Sequence, residues 1–129
     1  ICLKENNLPI DYVNIDLDDS HDLGYGLKKE YWHQGIVSEA VEAVIQQAKK
    51  DNLCYLTATH DIKNNHSGNV MKKVGMHYCY SYKEQWIPKN IPVIFRMYQI
   101  NLDGKNGFIK NIGINMNILL KKTYKGQVI

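Results

Sequence analysis

The chain has 129 residues, enough for one domain and too few for two. Hydrophobic residues make up 44% and charged residues 22%, a globular balance that excludes a disordered chain. The net charge of +3 is local: beyond residue 102 five lysines face Asp103 alone, the remainder is about −1, and Arg96 is the sole arginine, so nothing supports a nucleic-acid-binding face.

No run of about 20 apolar residues is present, so no membrane span is expected. Cys2, Cys54 and Cys79 lack the spacing of metal ligands. Cys54 and Cys79 lie in apolar runs and read as buried thiols, which points to a reducing cytoplasm and to no metal site. The first residue is Ile1, inside a strand-like stretch, so a fragment or a processed product is expected.

Strands are expected at about residues 1–5 and 10–17, joined by a turn at Asn6, Asn7, Leu8 and Pro9, because Val13, Ile15 and Leu17 alternate with polar residues. The next strand covers residues 22–28, and its Gly24 and Gly26 signal a bulge or a close backbone approach to a ligand. A polar turn and Gly35 lead into a helix over about residues 34–51. Val37, Val41, Val44 and Ala48 form its apolar stripe, with Ile36, Ala40 and Ala43 beside it, and Lys49 and Lys50 suit its negative end. Residues 53–59 are apolar and β-branched, a buried strand, and strand, helix, strand in this order suggests a parallel crossover. A second helix over about residues 65–74 has Asn64 or Asn65 as N-cap and Gly75 just past its end. Two more strands follow at 76–86 and 92–102, with Lys89 and Asn90 in the loop between them, giving a mixed α/β core over residues 1–102. Residues 103–129 form a basic tail, in which weak alternation around residues 108–120 leaves an extra strand and a disordered segment both open.

Residues 24–45 carry the main functional signal. A strand feeding a helix through a glycine places free amides and the positive end of the helix dipole at one spot, a site for phosphate or pyrophosphate. By itself the turn reads equally well as a plain helix start. Gly24 and Gly26 just before it, and a second capped helix beginning at Asn64, favour a ligand, since both helix starts then fall at the C-terminal ends of neighbouring strands. A proton acceptor is sought among Asp22 and His21 before the central strand, Glu30 after it, and His60 at the end of the next. Each acid also reads as a solvated turn residue, and His60 as a structural histidine. Tyr78, Tyr80 and Tyr82 alternate on one strand face and read as core or subunit packing.

The run LGYGLKKEYWHQGIVSEAVEAVI, followed by NNHSGNVMKKVGM, resembles the acetyl-CoA-binding core of the GNAT N-acetyltransferases, and most of all the branch acting on ribosomal proteins and amino acids. The resemblance covers about residues 1–102. It implies a mixed, mostly antiparallel central sheet with two helices, lacking the family's first strand and first two helices. It implies that backbone groups of Leu27 and Lys28 pair with the pantetheine arm of acetyl-CoA. Amides of His33, Gln34, Gly35, Ile36, Val37 and Ser38 would hold the pyrophosphate, Asn64 would hydrogen-bond the pantetheine, and Ser67 would cap the helix or touch the cosubstrate. His33 and Val37 stand where the family has glycine and a small residue, and Met71 where many members have a tyrosine acid. The implied activity is direct transfer of an acetyl group from acetyl-CoA to a primary amine, by a cytoplasmic homodimer with no membrane or nucleic-acid partner. The alternative is a truncated, catalytically deficient relative that binds CoA or only dimerises.

Overall fold

A computed structural model describes residues 1–86, 90–107 and 127–128. A short hairpin comes first: β1 (Val13–Ile15) pairs antiparallel with β2 (Leu23–Tyr25). One turn of 3₁₀ helix, Lys29–Tyr31, leads to α1 (Ile36–Lys50), followed by β3 (Tyr55–Asp61), α2 (Asn65–Lys73), β4 (His77–Trp86) and β5 (Ile91–Asn101). The last described element, β6 (Gln127–Val128), pairs with β4, so the second sheet runs β3-β5-β4-β6 and is antiparallel throughout.

The two sheets meet at one place. Asp22 and Thr57 form a single parallel rung, with the Thr57 amide donating to the His21 carbonyl at 3.2 Å and its hydroxyl to the Ser20 carbonyl at 2.8 Å. Beyond this rung β2 and β3 run on without pairing, and the open edge between them is what positions the site. The crossover predicted from strand, helix and strand is thus present, reduced to one rung.

Both helices end as their sequences require. At α1 the amides of Asn52 and Leu53 return to the carbonyls of Lys49 and Ala48, and Asn52 takes a φ of 60°. At α2 Gly75 and Met76 bond back to Lys72 and Met71, and Gly75 has a φ of 91°. Each is a Schellman-type end, which needs a left-handed residue in the place of Asn52 or Gly75. The core lies between the helices and the sheets: Val41, Ile45 and Ala48 of α1 pack with Leu23, Leu56, Ala58, Met71, Met76 and Tyr98. Each large aliphatic side chain among them contributes roughly 1.5–3 kcal/mol on burial.

Several expectations change. The strands predicted at 1–5 and 10–17 shrink to a Cys2–Pro9 bridge and the three residues of β1. The left-handed Asn7 turns the chain sharply, Pro9 offers no amide, and Leu17 is 86% exposed although it continues the alternation. Ile45, not Val44, sits at the centre of the helix stripe. Cys54 is exposed rather than buried. The tyrosine stripe breaks at a bulge between Tyr78 and Tyr80: Tyr78 pairs with Tyr98, whereas Tyr80 and Tyr82 pair with Met97 and Phe95, so Tyr78 faces the opposite side of β4. The segment 108–120, where an extra strand or a disordered tail was expected, lies outside the described residues.

Candidate functional site

The start of α1 is built from backbone. Its N-cap is Gly35, at a φ of 74° and without a side-chain cap, so the first-turn amides have no partner within the helix. Two residues earlier His33 is also left-handed, at 61°. The uncapped amides and the positive end of the α1 dipole together suit this spot to an anion. On α2 Asn64 is the cap: its Oδ1 accepts from the Ser67 amide at 3.3 Å and its Nδ2 donates to Ser67 Oγ at 3.1 Å.

The segment just after β2 supplies a third set of groups. Gly26 and Lys28 turn their amides toward the chain preceding β1, donating to the carbonyls of Tyr12 at 3.0 Å and Ile10 at 3.3 Å. Alternate residues of a strand face opposite edges, so the amide of Leu27 points into the gap between the sheets. The Leu27 carbonyl accepts from the Trp32 indole at 2.7 Å, which fixes the turn that follows.

These parts line one cavity of about 1010 Å³. Leu27, His33, Gln34, Gly35, Ile36, Val37, Ser38, Asn64 and Ser67 all reach it, so the sequence-predicted cosubstrate residues come together, with the exception of Lys28. Lys28 is turned away: its amide goes to Ile10, its carbonyl accepts from Tyr31, and its Nζ reaches the Pro9 carbonyl at 3.4 Å.

None of the four candidate proton acceptors, His21 among them, lines this cavity. Glu30 is exposed on the 3₁₀ turn. His60 is 4% exposed, with Nδ1 2.7 Å from the Asp61 carbonyl and Nε2 buried without a partner. Gly68 covers it so closely that a Cβ there would lie 2.7 Å from Nε2. Asp22 sits at the rung where the sheets part, and burial first, then the charges of Asp16 and Asp18, pushes its carboxyl up to about 6.

The cavity also contains residues that sequence reasoning passed over. Lys73, part of the second run that resembles the family but given no role there, brings its Nζ to 3.9 Å from where a Cβ at Gly35 would be. Lys63 and His66 line the cavity as well, and His66 Nε2 lies 3.1 Å from His33 Nε2 across the mouth. Tyr25 joins β2 to α2 by donating to the Ser67 carbonyl at 2.7 Å, and burial pushes its phenol up to about 12. The spacing of α2 also places Lys73 on the same face as Asn69, four residues earlier. Asp11 and Tyr12 enter from the start of β1.

A family model described as the acetyltransferase (GNAT) domain matches residues 1–77. No curated protein matches the chain. Among solved structures, an acetyltransferase of the GNAT family from Bacillus anthracis has 25% identity and a TM-score of 0.71, over 79% of this chain and 64% of that one. The ribosomal-protein-S5-alanine acetyltransferase of Vibrio fischeri has 23% identity and a TM-score of 0.69, over 82% and 61%. The putative acetyltransferase yncA of Salmonella typhimurium, with its cofactor acetyl-CoA, has 12% identity and a TM-score of 0.69, over 84% and 66%. The chain therefore spans less than two thirds of the length of these structures. Two of them, under 25% identical, bear on the fold alone.

Proposed function

Because this chain belongs to the acetyltransferase (GNAT) domain family, we propose that it transfers an acetyl group from acetyl-CoA to a primary amine. The observation that carries this is the single cavity joining the uncapped start of α1, the start of α2 and the free edge of β2. Its volume is at the upper end of the roughly 300–1,000 Å³ usual for ligand sites. The residues fit the cosubstrate. Amides at residues 33–38 and the Lys73 ammonium suit a pyrophosphate, and the Leu27 amide suits a pantetheine amide added as a strand. Asn64 and Ser67 lie beside that arm, although their mutual hydrogen bonds leave only part of their capacity free.

Bound acetyl-CoA supplies an activated acyl group in a thioester. The protein has to orient it, polarise its carbonyl and take a proton from the amine. The amide of Leu27, unused by β1, is suited to the carbonyl oxygen. Asp22 is our choice of proton acceptor, acting through water at the parting of β2 and β3, because a carboxyl at about 6 is matched to work near neutral pH. Glu30 and His60 lack support: one is solvated, the other sealed under Gly68. A cytoplasmic homodimer belongs to the same proposal. β1 is an edge strand, and no helix among the described residues is long and apolar enough to cross a membrane.

A second reading, CoA binding without turnover, draws on Met71. It stands where the resemblance puts a tyrosine acid, is 2% exposed in the core and does not line the cavity. Calorimetry with acetyl-CoA and CoA, followed by transfer assays over a panel of primary amines, separates the readings. Binding with turnover supports acetyl transfer, binding alone supports the second reading, and no binding refutes both. Size-exclusion chromatography with light scattering checks the dimer.

A further inference from the structure

The cavity is charged unevenly. His33, Lys63, His66 and Lys73 line it around the helix starts, whereas Asp11 is its one acidic residue among the described residues. Asp11 stands on the strand side, just before β1. Its Cγ and Oδ1 each lie 3.0 Å from where a Cβ on Gly26 would be, with Tyr12 Cε1 at 2.9 Å. A glycine at 26 is therefore what gives the carboxylate its place against the strand edge. The backbone carbonyl of Asp11 accepts from the Ile1 ammonium at 2.6 Å, but among the described residues no donor or cation reaches its carboxylate. A half-buried carboxylate without a counter-ion, in a cavity otherwise lined by neutral and cationic groups, is suited to hold a cation.

We propose that the carboxylate of Asp11 binds the ammonium group of the acceptor, and so restricts the acceptor to cationic primary amines over neutral nucleophiles such as alcohols. The inference rests on the acetyl-transfer reading given above. The two substrates are sorted by charge: the polyanionic donor is drawn to Lys63 and Lys73, and the cationic acceptor to Asp11. They meet at the free edge of β2, beside Gly26 and Leu27. The bound ammonium gives one proton to the protein's acceptor carboxylate through water, and its nitrogen lone pair then forms the N–C bond to the thioester carbonyl carbon. The C–S bond breaks with its electron pair on sulfur, and the second nitrogen proton ends on that sulfur, giving an acetamide and a free thiol.

The test is calorimetric and does not require turnover. Protein saturated with CoA is titrated with linear alkylamines and diamines, and with the alcohols of the same carbon skeletons. The native chain is expected to prefer amine over alcohol by about 10- to 100-fold, the range for one hydrogen bond between charged groups. Asp11→Asn should abolish the preference while keeping CoA affinity within about threefold of native, which also shows that the fold is intact. Asp11→Glu, which keeps the charge, should retain most of the preference. Where an amine is turned over, Asp11→Asn should raise its KM by a similar factor with kcat nearly unchanged. Equal binding of amines and alcohols by the native chain, or a preference that survives in Asp11→Asn, overturns the proposal. Failure of the native chain to bind CoA would instead strike the acetyl-transfer reading beneath it.

Discussion

Replacing Asp22 by Asn should stabilise the protein at neutral pH while removing its catalysis. The Asp22 carboxyl is pushed from 3.8 up to about 6, chiefly by burial. The folded state therefore holds this proton more tightly than the unfolded state, and stability falls as pH rises through the window between these values. Below about 4 both states are protonated and the penalty vanishes; above about 6 it is fully present. A gap of roughly two units at 1.36 kcal/mol each corresponds to about 3 kcal/mol, and partial solvation reduces this to about 2 kcal/mol. Asn has nearly the same shape without the charge, so Asp22→Asn should gain about 2 kcal/mol at pH 7.5 and almost nothing at pH 4. Urea unfolding of both proteins across pH 4–8 measures the difference directly. Transfer activity should fall about 10²–10⁴-fold, the usual contribution of a general base, and the native pH–rate profile should bend near the same pKa. A stability difference that does not vary with pH, or a less stable variant at pH 7.5, would refute the assignment of a raised carboxyl. Retained activity would refute its role as base while leaving the ionisation argument intact.

Lys73→Met should weaken acetyl-CoA binding about tenfold by calorimetry, because its Nζ lies beside Gly35 at the start of α1, and the gap between native and variant should narrow in high salt. Asn64→Ala should lower stability by about 1 kcal/mol in thermal melts through loss of the α2 cap, and should also cost acetyl-CoA affinity. Gly68→Ala should cost about 1–3 kcal/mol, since its Cβ would meet the buried His60 ring at 2.7 Å; the double variant with His60→Ala should recover much of that loss if this clash is the cause.

What the sequence disclosed were the features with local causes. The helix end at Gly75, the Asn64 cap and the glycine start of α1 each follow from a few neighbouring residues, and the residues expected to hold the cosubstrate, Lys28 excepted, line one cavity. What it hid depends on distant parts meeting. Asp11 matters only because a hairpin of β1 and β2 lays it against Gly26, and Lys73 only because α2 crosses toward the start of α1. His60 was legible at a strand end, open both as a proton acceptor and as a structural histidine, but the cover provided by Gly68 from the next helix was not. The tyrosine alternation failed for a related reason: one extra residue at the β4 bulge reverses every face beyond it, and no composition signal marks it.

The departures from the family pattern carry less weight once the site is seen to be made of backbone. His33 stands where glycine is usual, yet it adopts the φ of 61° that a glycine would supply, and histidine is among the residues that tolerate this region. Its ring leans on His66, with centroids 4.3 Å apart, so the strain is offset by a contact between the two helix starts. The amides keep their direction whatever side chain hangs from them. Gly35 is left-handed too, at a φ of 74°, where most side chains are strained, although space itself is not the obstacle: a Cβ there would meet only the Lys73 Nζ, at an ordinary 3.9 Å. Backbone sites of this kind constrain dihedral angles more than identities.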